Sequence, residues 1–341
     1  MTLPPLPDGR TVAVRSADGT RLHARVYGPE DAYPIVLAHG ITCAIEVWAH
    51  QIAELARDYR VIAYDHRGHG LSETPRQRRG YSLNHLAADL DAVLAATLRP
   101  GEHAVLAGHS MGGIAITSWS QRYPRRVTAC ADAVALINTS TGDLLRDVKL
   151  IPVPAPLSQA RIRTAGTFLK TFGATPLPKL ADKPNRKFVE YLAVGSDAEP
   201  EVADLVYRLF ATTPATGRGN WARVLVDNLG PTHISLHNLT VPTLVIGSRR
   251  DRLLPINASR HIADHAPNLS AFVELSGGHR CSPAGLGLDG HHLPQPDHRA
   301  QAGLELGQLL GDPADDAVRA GEEPGAVGPA VAAPCPGTTG R

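Results

Sequence analysis

Residues 104–113 read Ala104-Val105-Leu106-Ala107-Gly108-His109-Ser110-Met111-Gly112-Gly113, and a run with helical spacing, 114–123, follows at once. A short apolar stretch of strand character passes through G-x-S-x-G into a helix. That order puts Ser110 on a sharp, strained turn, a nucleophile elbow, with its Oγ projecting above the end of a sheet. Glycine at 108 and 112 leaves room for the neighbouring strand and helix to approach the turn. The turn also sets the backbone N–H of Met111 at a helix N-terminus, where it can stabilise a developing oxyanion. The bare motif is moderately common by chance. Its place between a buried strand and a helix separates it from an ordinary βα turn.

Similar apolar runs lie on both sides of this segment. Residues 11–16 and 21–27 alternate in character around the turn Asp18-Gly19 and read as a hairpin. Residues 34–38, 60–64, 104–107, 133–137, 243–246 and 271–275 are nearly continuous in apolar character, as parallel strands buried on both faces should be. Helical patterns at 48–57, 83–98, 113–123 and 257–265 alternate with them. The expected fold class is therefore α/β, with a mostly parallel, doubly wound sheet.

The alternation breaks over 140–236. Helical pieces at 159–172, 186–194, 200–210 and 221–228 lie there among many prolines, without a convincing strand. This stretch is expected to be an inserted helical cap, and 1–139 with 237–310 the core. Lys149, Arg161, Arg163, Lys170, Lys179, Lys183, Arg186 and Lys187 face only Asp182 in its first half. A solvated lid face is the plain reading of such a charge run. Peripheral contact with anionic lipid, or with an acidic substrate, is the sharper one. Residues 311–341 are mostly Ala, Gly, Pro and Asp and lack the apolar surface to offset ordering entropy, so a disordered tail is expected.

Composition narrows the function classes. Hydrophobic residues make up 43% and charged residues 20%, and the net charge is +1, so no global field points to nucleic acid or a membrane surface. Cys43, Cys130, Cys281 and Cys335 form no C-x-x-C pair and imply neither a zinc ribbon nor a disulfide framework. Residues 1–10 have no apolar segment of signal-peptide type, and no apolar run reaches the ~18 residues of a membrane span. The expected location is cytoplasmic.

Two further motifs complete the pattern. Ile35-Val36-Leu37-Ala38-His39-Gly40-Ile41-Thr42 ends a strand with His-Gly, and Asp65-His66-Arg67-Gly68-His69-Gly70-Leu71-Ser72 follows the next strand. His-Gly, then D-x-R-G-x-G-x-S, then G-H-S-M-G-G resembles the α/β-hydrolase superfamily, most closely its esterase, lipase and cofactor-free haloperoxidase-like members. The resemblance implies an α/β-hydrolase fold and a second oxyanion donor in the loop after the His-Gly strand, for which the N–H of Ile41 is the candidate. His39 as general base is the competing reading, but a strand-end position beside glycine suits a structural role. In that family the D-x-R-G-x-G stretch is a structural turn, so Asp65, Arg67 and His69 stay outside the site. His66 and His69 lack a third ligand in their loop, so no metal is expected.

A serine nucleophile needs a base, and the base an orienting carboxylate, in the family's order Ser, acid, His. Gly247-Ser248-Arg249-Arg250-Asp251-Arg252-Leu253-Leu254-Pro255 resembles the family's G-x-x-D-x-x-x-P loop and makes Asp251 the acid; Asp143, after the sixth strand, competes. Ser276-Gly277-Gly278-His279 follows the strand 271–275 and makes His279 the base, with His291 and His292 as rivals on a loop that no strand precedes. The sequence departs from the family after His279. Residues 280–296 form a Gly-, Pro- and His-rich loop where relatives run into a closing helix, and only 297–310 has helical spacing.

Ser110, His279 and Asp251, with N–H groups from Met111 and Ile41, make an acyl-transfer site needing no cofactor. The expected substrate is a small carboxylic ester with an apolar acyl group, since the cap is rich in Leu, Ile, Val, Phe and Ala. Acyl transfer to another acceptor, cofactor-free perhydrolysis, and a non-catalytic binding protein on the same scaffold are the alternatives.

Overall fold

A computed structural model describes residues 4–146, 200–275 and 278–279, together with 164, 166–167, 170–171, 186–187 and 189. Eight strands form one sheet in the order β1-β2-β4-β3-β5-β6-β7-β8. They are β1 (Gly9–Arg15), β2 (Arg21–Tyr27), β3 (Pro34–Ala38), β4 (Arg60–Tyr64), β5 (Ala104–His109), β6 (Ala131–Ile137), β7 (Thr243–Ser248) and β8 (Leu269–Leu275). β1 and β2 pair antiparallel across the turn at Gly19, whose φ of 84° suits glycine. β2 meets β4 antiparallel, and every pairing from β4 to β8 is parallel.

Every residue of β3, β4, β5 and β7 is buried, because helices cover both faces of the sheet. Alternation of side chains sorts the apolar residues into two cores. Val36, Ile62, Leu106 and Val245 pack under α2 (Leu83–Thr97) and α3 (Met111–Arg122), against Leu90, Ile116 and Trp119. Ile35, Leu37, Val61 and Val105 face the other way, against Ile52 and Leu55 of α1 (Ala49–Leu55). Ser82 caps α2, its Oγ accepting from the N–H of His85.

The strands match the sequence reading, with shifts at their ends. β1 starts at Gly9 because Gly9 and Arg10 pair with Tyr27 and Val26, a gain that alternation alone does not signal. A 3-10 turn, Ile45–Trp48, leads into α1, which ends at Leu55, two residues short of the helix expected over 48–57. α4 (Pro124–Cys130) was not anticipated; it buries only Val127 and Cys130, too sparse a pattern to register. α7 (Ile256–His265) covers the β7–β8 connection as expected.

Between 140 and 236 the described residues contain α5 (Pro200–Thr212) and α6 (Ala215–Asn228) and no strand. Both helices rest on loops at the carboxyl ends of β3 and β4. Leu205 and Leu209 pack with Ala44 and Val47. The Trp221 indole N–H donates to the carbonyl of Arg67 at 2.9 Å. Gly217 lies so close to Gly68 that a Cβ on it would come within 3.0 Å of the Gly68 Cα. Two cations of the basic run are spent within the protein: Lys170 pairs with Asp227 and Arg186 with Asp204. The helical pattern at 297–310, the tail 311–341 and most of 159–172 and 186–194 lie outside the described residues.

The chain runs from β3 to β4 on one side, then crosses to β5 on the other, so the strand order reverses between β3 and β5. In open α/β sheets such a switch point opens a crevice at the carboxyl ends of the strands. His39-Gly40 and Ser110 leave the sheet at that point.

Candidate active site

Ser110 caps α3 with φ 54° and ψ −116°, a backbone conformation that costs a non-glycine residue about 1–3 kcal/mol. Surrounding hydrogen bonds hold it there. Its N–H donates to Ile137 at 2.9 Å, and its carbonyl accepts from the N–H of Gly113 at 3.0 Å and Thr139 Oγ1 at 2.7 Å. The glycines of the motif are required by space. A Cβ on Gly108 would lie 2.5 Å from the Gly112 carbonyl carbon, and one on Gly112 would lie 2.5 Å from that of Ala38.

Three residues from three loops meet at this turn. Asp251 follows β7, and its Oδ1 accepts the N–H groups of Leu253 at 2.8 Å and Leu254 at 2.7 Å. Its Oδ2 lies 2.7 Å from Nδ1 of His279, beyond the end of β8. His279 Nε2 lies 3.1 Å from Ser110 Oγ. A carboxylate only accepts, so the imidazole proton sits on Nδ1 and the Nε2 lone pair faces the serine hydroxyl. All three residues are buried, where charge interactions are screened less than in water. Asp143 has other partners: Arg146 at 3.1 Å and His233 at 3.5 Å. His291 and His292 lie outside the described residues.

The Met111 N–H opens α3, and the first N–H groups of a helix have no partner within it. Ile41 follows Gly40, where an added Cβ would lie 3.1 Å from the Cβ of Ser110. The loop carrying the Ile41 amide therefore runs beside the serine.

That loop is braced by the Asp65–Ser72 turn. His66 N–H donates to His39 Nε2 at 3.1 Å, and His39 Nδ1 donates to the carbonyl of Gly40 at 2.7 Å. Thr42 N–H donates to His69 Nε2 at 3.0 Å, and Ile45 N–H to Asp65 Oδ1 at 2.9 Å. Burial drives the pKa of His66 down to about 3, with His69 adding to the effect, and drives that of His69 down to about 4. Both rings are neutral and act as fixed donors and acceptors. Arg67 is wholly buried and grips Asp89 through two bonds of 2.6 Å. His39, Asp65, Arg67 and His69 thus hold the scaffold rather than face the serine. Among the described residues, no group of three or more His, Cys, Asp or Glu is arranged to hold a metal ion.

Sequence reasoning missed Thr139, His109 and Asn138. Thr139 supports the elbow carbonyl, while His109 Nε2 and Asn138 Nδ2 each reach the carbonyl oxygen of His279 at 2.9 Å. The available signal was a histidine at the free position of G-x-S-x-G and an Asn-Thr pair ending the strand at 137.

Several known proteins are similar to this chain along most of its length. RutD of Variovorax paradoxus, whose name suggests carbamate hydrolysis, is 29% identical over 262 residues, spanning 76% of this chain and 89% of that protein. The non-heme chloroperoxidase of Burkholderia pyrrocinia is 27% identical over 71% of this chain and 83% of its own. Among solved structures, the esterase RhEst1 from Rhodococcus superposes with a TM-score of 0.56 at 26% identity, covering 79% of this chain and 91% of that one. The model of the alpha/beta hydrolase fold family matches residues 33–281, from the threshold of β3 to just past His279. On that match, with the sheet order and the elbow, the chain belongs to the alpha/beta hydrolase fold family.

Proposed function

We propose that this hydrolase is a serine esterase acting through an acyl-enzyme, with Ser110 as nucleophile, His279 as base and Asp251 as its orienting acid. The observation that carries the reading is the relay of 2.7 Å from Asp251 to His279 and 3.1 Å from His279 to Ser110. As Ser110 Oγ bonds to the ester carbonyl carbon, its proton passes to His279 Nε2. Asp251 stabilises the imidazolium and keeps its ring in register. The N–H groups of Met111 and Ile41 receive the oxyanion. Collapse of the tetrahedral intermediate expels the alcohol, which takes the proton from Nε2. Water then repeats the sequence on the acyl-enzyme and releases the acid. Serine at the elbow sets the chain apart from epoxide-opening relatives, which use an aspartate there.

An apolar acyl group suits the surroundings. Met111 belongs to a cluster that includes Trp221, Val224 and Leu225 of α6, with Ile41 and Leu144 against it. Residues 140–236 in this reading are a lid selecting the acyl chain, and the basic run is its solvated face. No helix among the described residues is long and apolar enough to cross a membrane, and we place the enzyme in the cytoplasm. Likeness to a chloroperoxidase supports a second reading, transfer of the same acyl group to peroxide in place of water. Labelling with a fluorophosphonate, together with turnover of p-nitrophenyl esters, tests the proposal. Wild type should label once, and Ser110→Ala should lose the label and about 10³-fold or more in kcat. Labelling or turnover of Ser110→Ala near wild type refutes the assignment.

A further inference from the structure

His279 stands past the end of β8, and its ring has two partners, Asp251 on Nδ1 and Ser110 on Nε2. Those two hydrogen bonds lie at the ring's edge and by themselves would let it pivot about the line joining them. A third anchor, away from that line, is needed to fix the base. We propose that His109 and Asn138 supply it: they are positioning residues that clamp the carbonyl oxygen of His279 and so set its imidazole against Ser110. The inference rests on the reading of Ser110, His279 and Asp251 as the reacting group.

Two donors from two neighbouring strands converge on that oxygen. His109 ends β5 and presents Nε2 at 2.9 Å; Asn138 follows β6 and presents Nδ2, also at 2.9 Å. A carbonyl only accepts, so Nε2 of His109 carries its proton. Both side chains are buried, His109 at 8% exposure and Asn138 at 1%, so water competes little for the bonds. The His109 ring also leans on the ring of His279, with centroids 4.9 Å apart and planes inclined by 49°. The rings of Trp48 and His109 meet edge to face, with centroids 6.5 Å apart and planes at 90°.

The backbone around both residues is built to allow this placement. A Cβ on Gly40 would stand 3.0 Å from Nδ1 of His109, so the missing side chain of the His-Gly pair makes room for the ring. Asn138 has φ 43°, in the left-handed region that asparagine tolerates better than most residues. Its N–H is pinned to Ile246 at 2.8 Å. Local strain that aims a side chain at a site is the kind kept where function needs it. The elbow histidine thus serves the base rather than the nucleophile it precedes.

Four variants test this on the full chain. His109→Phe keeps the ring and loses the donor; His109→Gln keeps an N–H at comparable reach. Asn138→Gly keeps the left-handed backbone and loses the donor. Ser110→Ala tests the underlying triad reading by itself. His109→Phe and Asn138→Gly should each lower kcat and the fluorophosphonate labelling rate by about 10- to 100-fold, with KM within about threefold. His109→Gln should recover most of the loss, which a merely space-filling histidine would not require. Equal rates for His109→Phe and His109→Gln, or wild-type labelling in both His109→Phe and Asn138→Gly, overturn the clamp. If His109→Phe does not fold, Asn138→Gly decides. Turnover persisting in Ser110→Ala overturns the triad reading, whereas an inert Ser110→Ala beside a fully active His109→Phe and Asn138→Gly overturns the clamp alone.

Discussion

Alanine at position 112 would put a methyl group where the backbone of β3 already lies. Its Cβ would stand 2.0 Å from the carbonyl oxygen of Ala38 and 2.5 Å from its carbonyl carbon, while ordinary contact begins at 3.4 Å. No flexible side-chain tip can swing aside, so α3 must back away from β3 by roughly 1.4 Å. Overpacking of that kind costs about 1–3 kcal/mol of stability. The larger effect falls on the chemistry, because α3 carries Ser110 as its cap and Met111 as its first residue. A misplacement of about 1 Å between reacting groups costs on the order of 100-fold in rate. The assay is kcat/KM on p-nitrophenyl acetate alongside urea unfolding, with Gly101→Ala as control. Gly101 has φ 75° with nothing within 4 Å of a built Cβ, and it precedes β5 at the far end of the sheet. Alanine there should cost about 1–2 kcal/mol of backbone strain and leave kinetics intact. A folded Gly112→Ala within threefold of wild type, or an equal kinetic loss in both variants, refutes the reasoning.

Other expectations are equally specific. Asp251→Asn should lower kcat by about four orders of magnitude by offering His279 the wrong tautomer partner, while Asp143→Asn stays within a few-fold; the reverse ranking would make Asp143 the acid. His66 and His69 have depressed pKa values of about 3 and 4 in the folded protein, so the unfolded chain binds their protons first. Their contribution is complete above the ordinary value of 6.5 and is lost as pH falls below it. By pH 5 each should have cost about 2 kcal/mol, and His66→Gln should shrink the pH 7 to pH 5 difference in urea unfolding by about that amount; an unchanged difference counts against a neutral His66. Trp221→Phe removes the N–H donor to the Arg67 carbonyl and should cost about 1–3 kcal/mol in the same assay, with no measurable loss counting against that contact as the seat of α6.

Much of the core was legible in one dimension because its signals are local. The apolar runs at 21–27, 34–38 and 60–64 coincide with β2, β3 and β4 to the residue, since a strand covered on both faces leaves no room for polar interruption. Ser110 was legible because its turn needs glycine two residues to either side, and that need is written in adjacent letters. Asp251 and His279 were named as candidates through the motifs around them, with Asp143, His291 and His292 left in competition. What brought one aspartate to His279, and gave Asp143 to Arg146 and His233, was the position of β7 between β6 and β8. His109 and Asn138 reach the carbonyl of His279 from 170 and 141 residues away in sequence. No periodicity or spacing encodes such a pair, because the contact is made across the carboxyl edge of the sheet, between residues at the ends of β5 and β6 and one beyond β8. The amino-acid sequence by itself determined the strands, the elbow and the kinds of residue available for chemistry. Tertiary structure decided which of them meet, because hydrogen bonds across the carboxyl edge of the sheet depend on strand order and register rather than on neighbours in the chain.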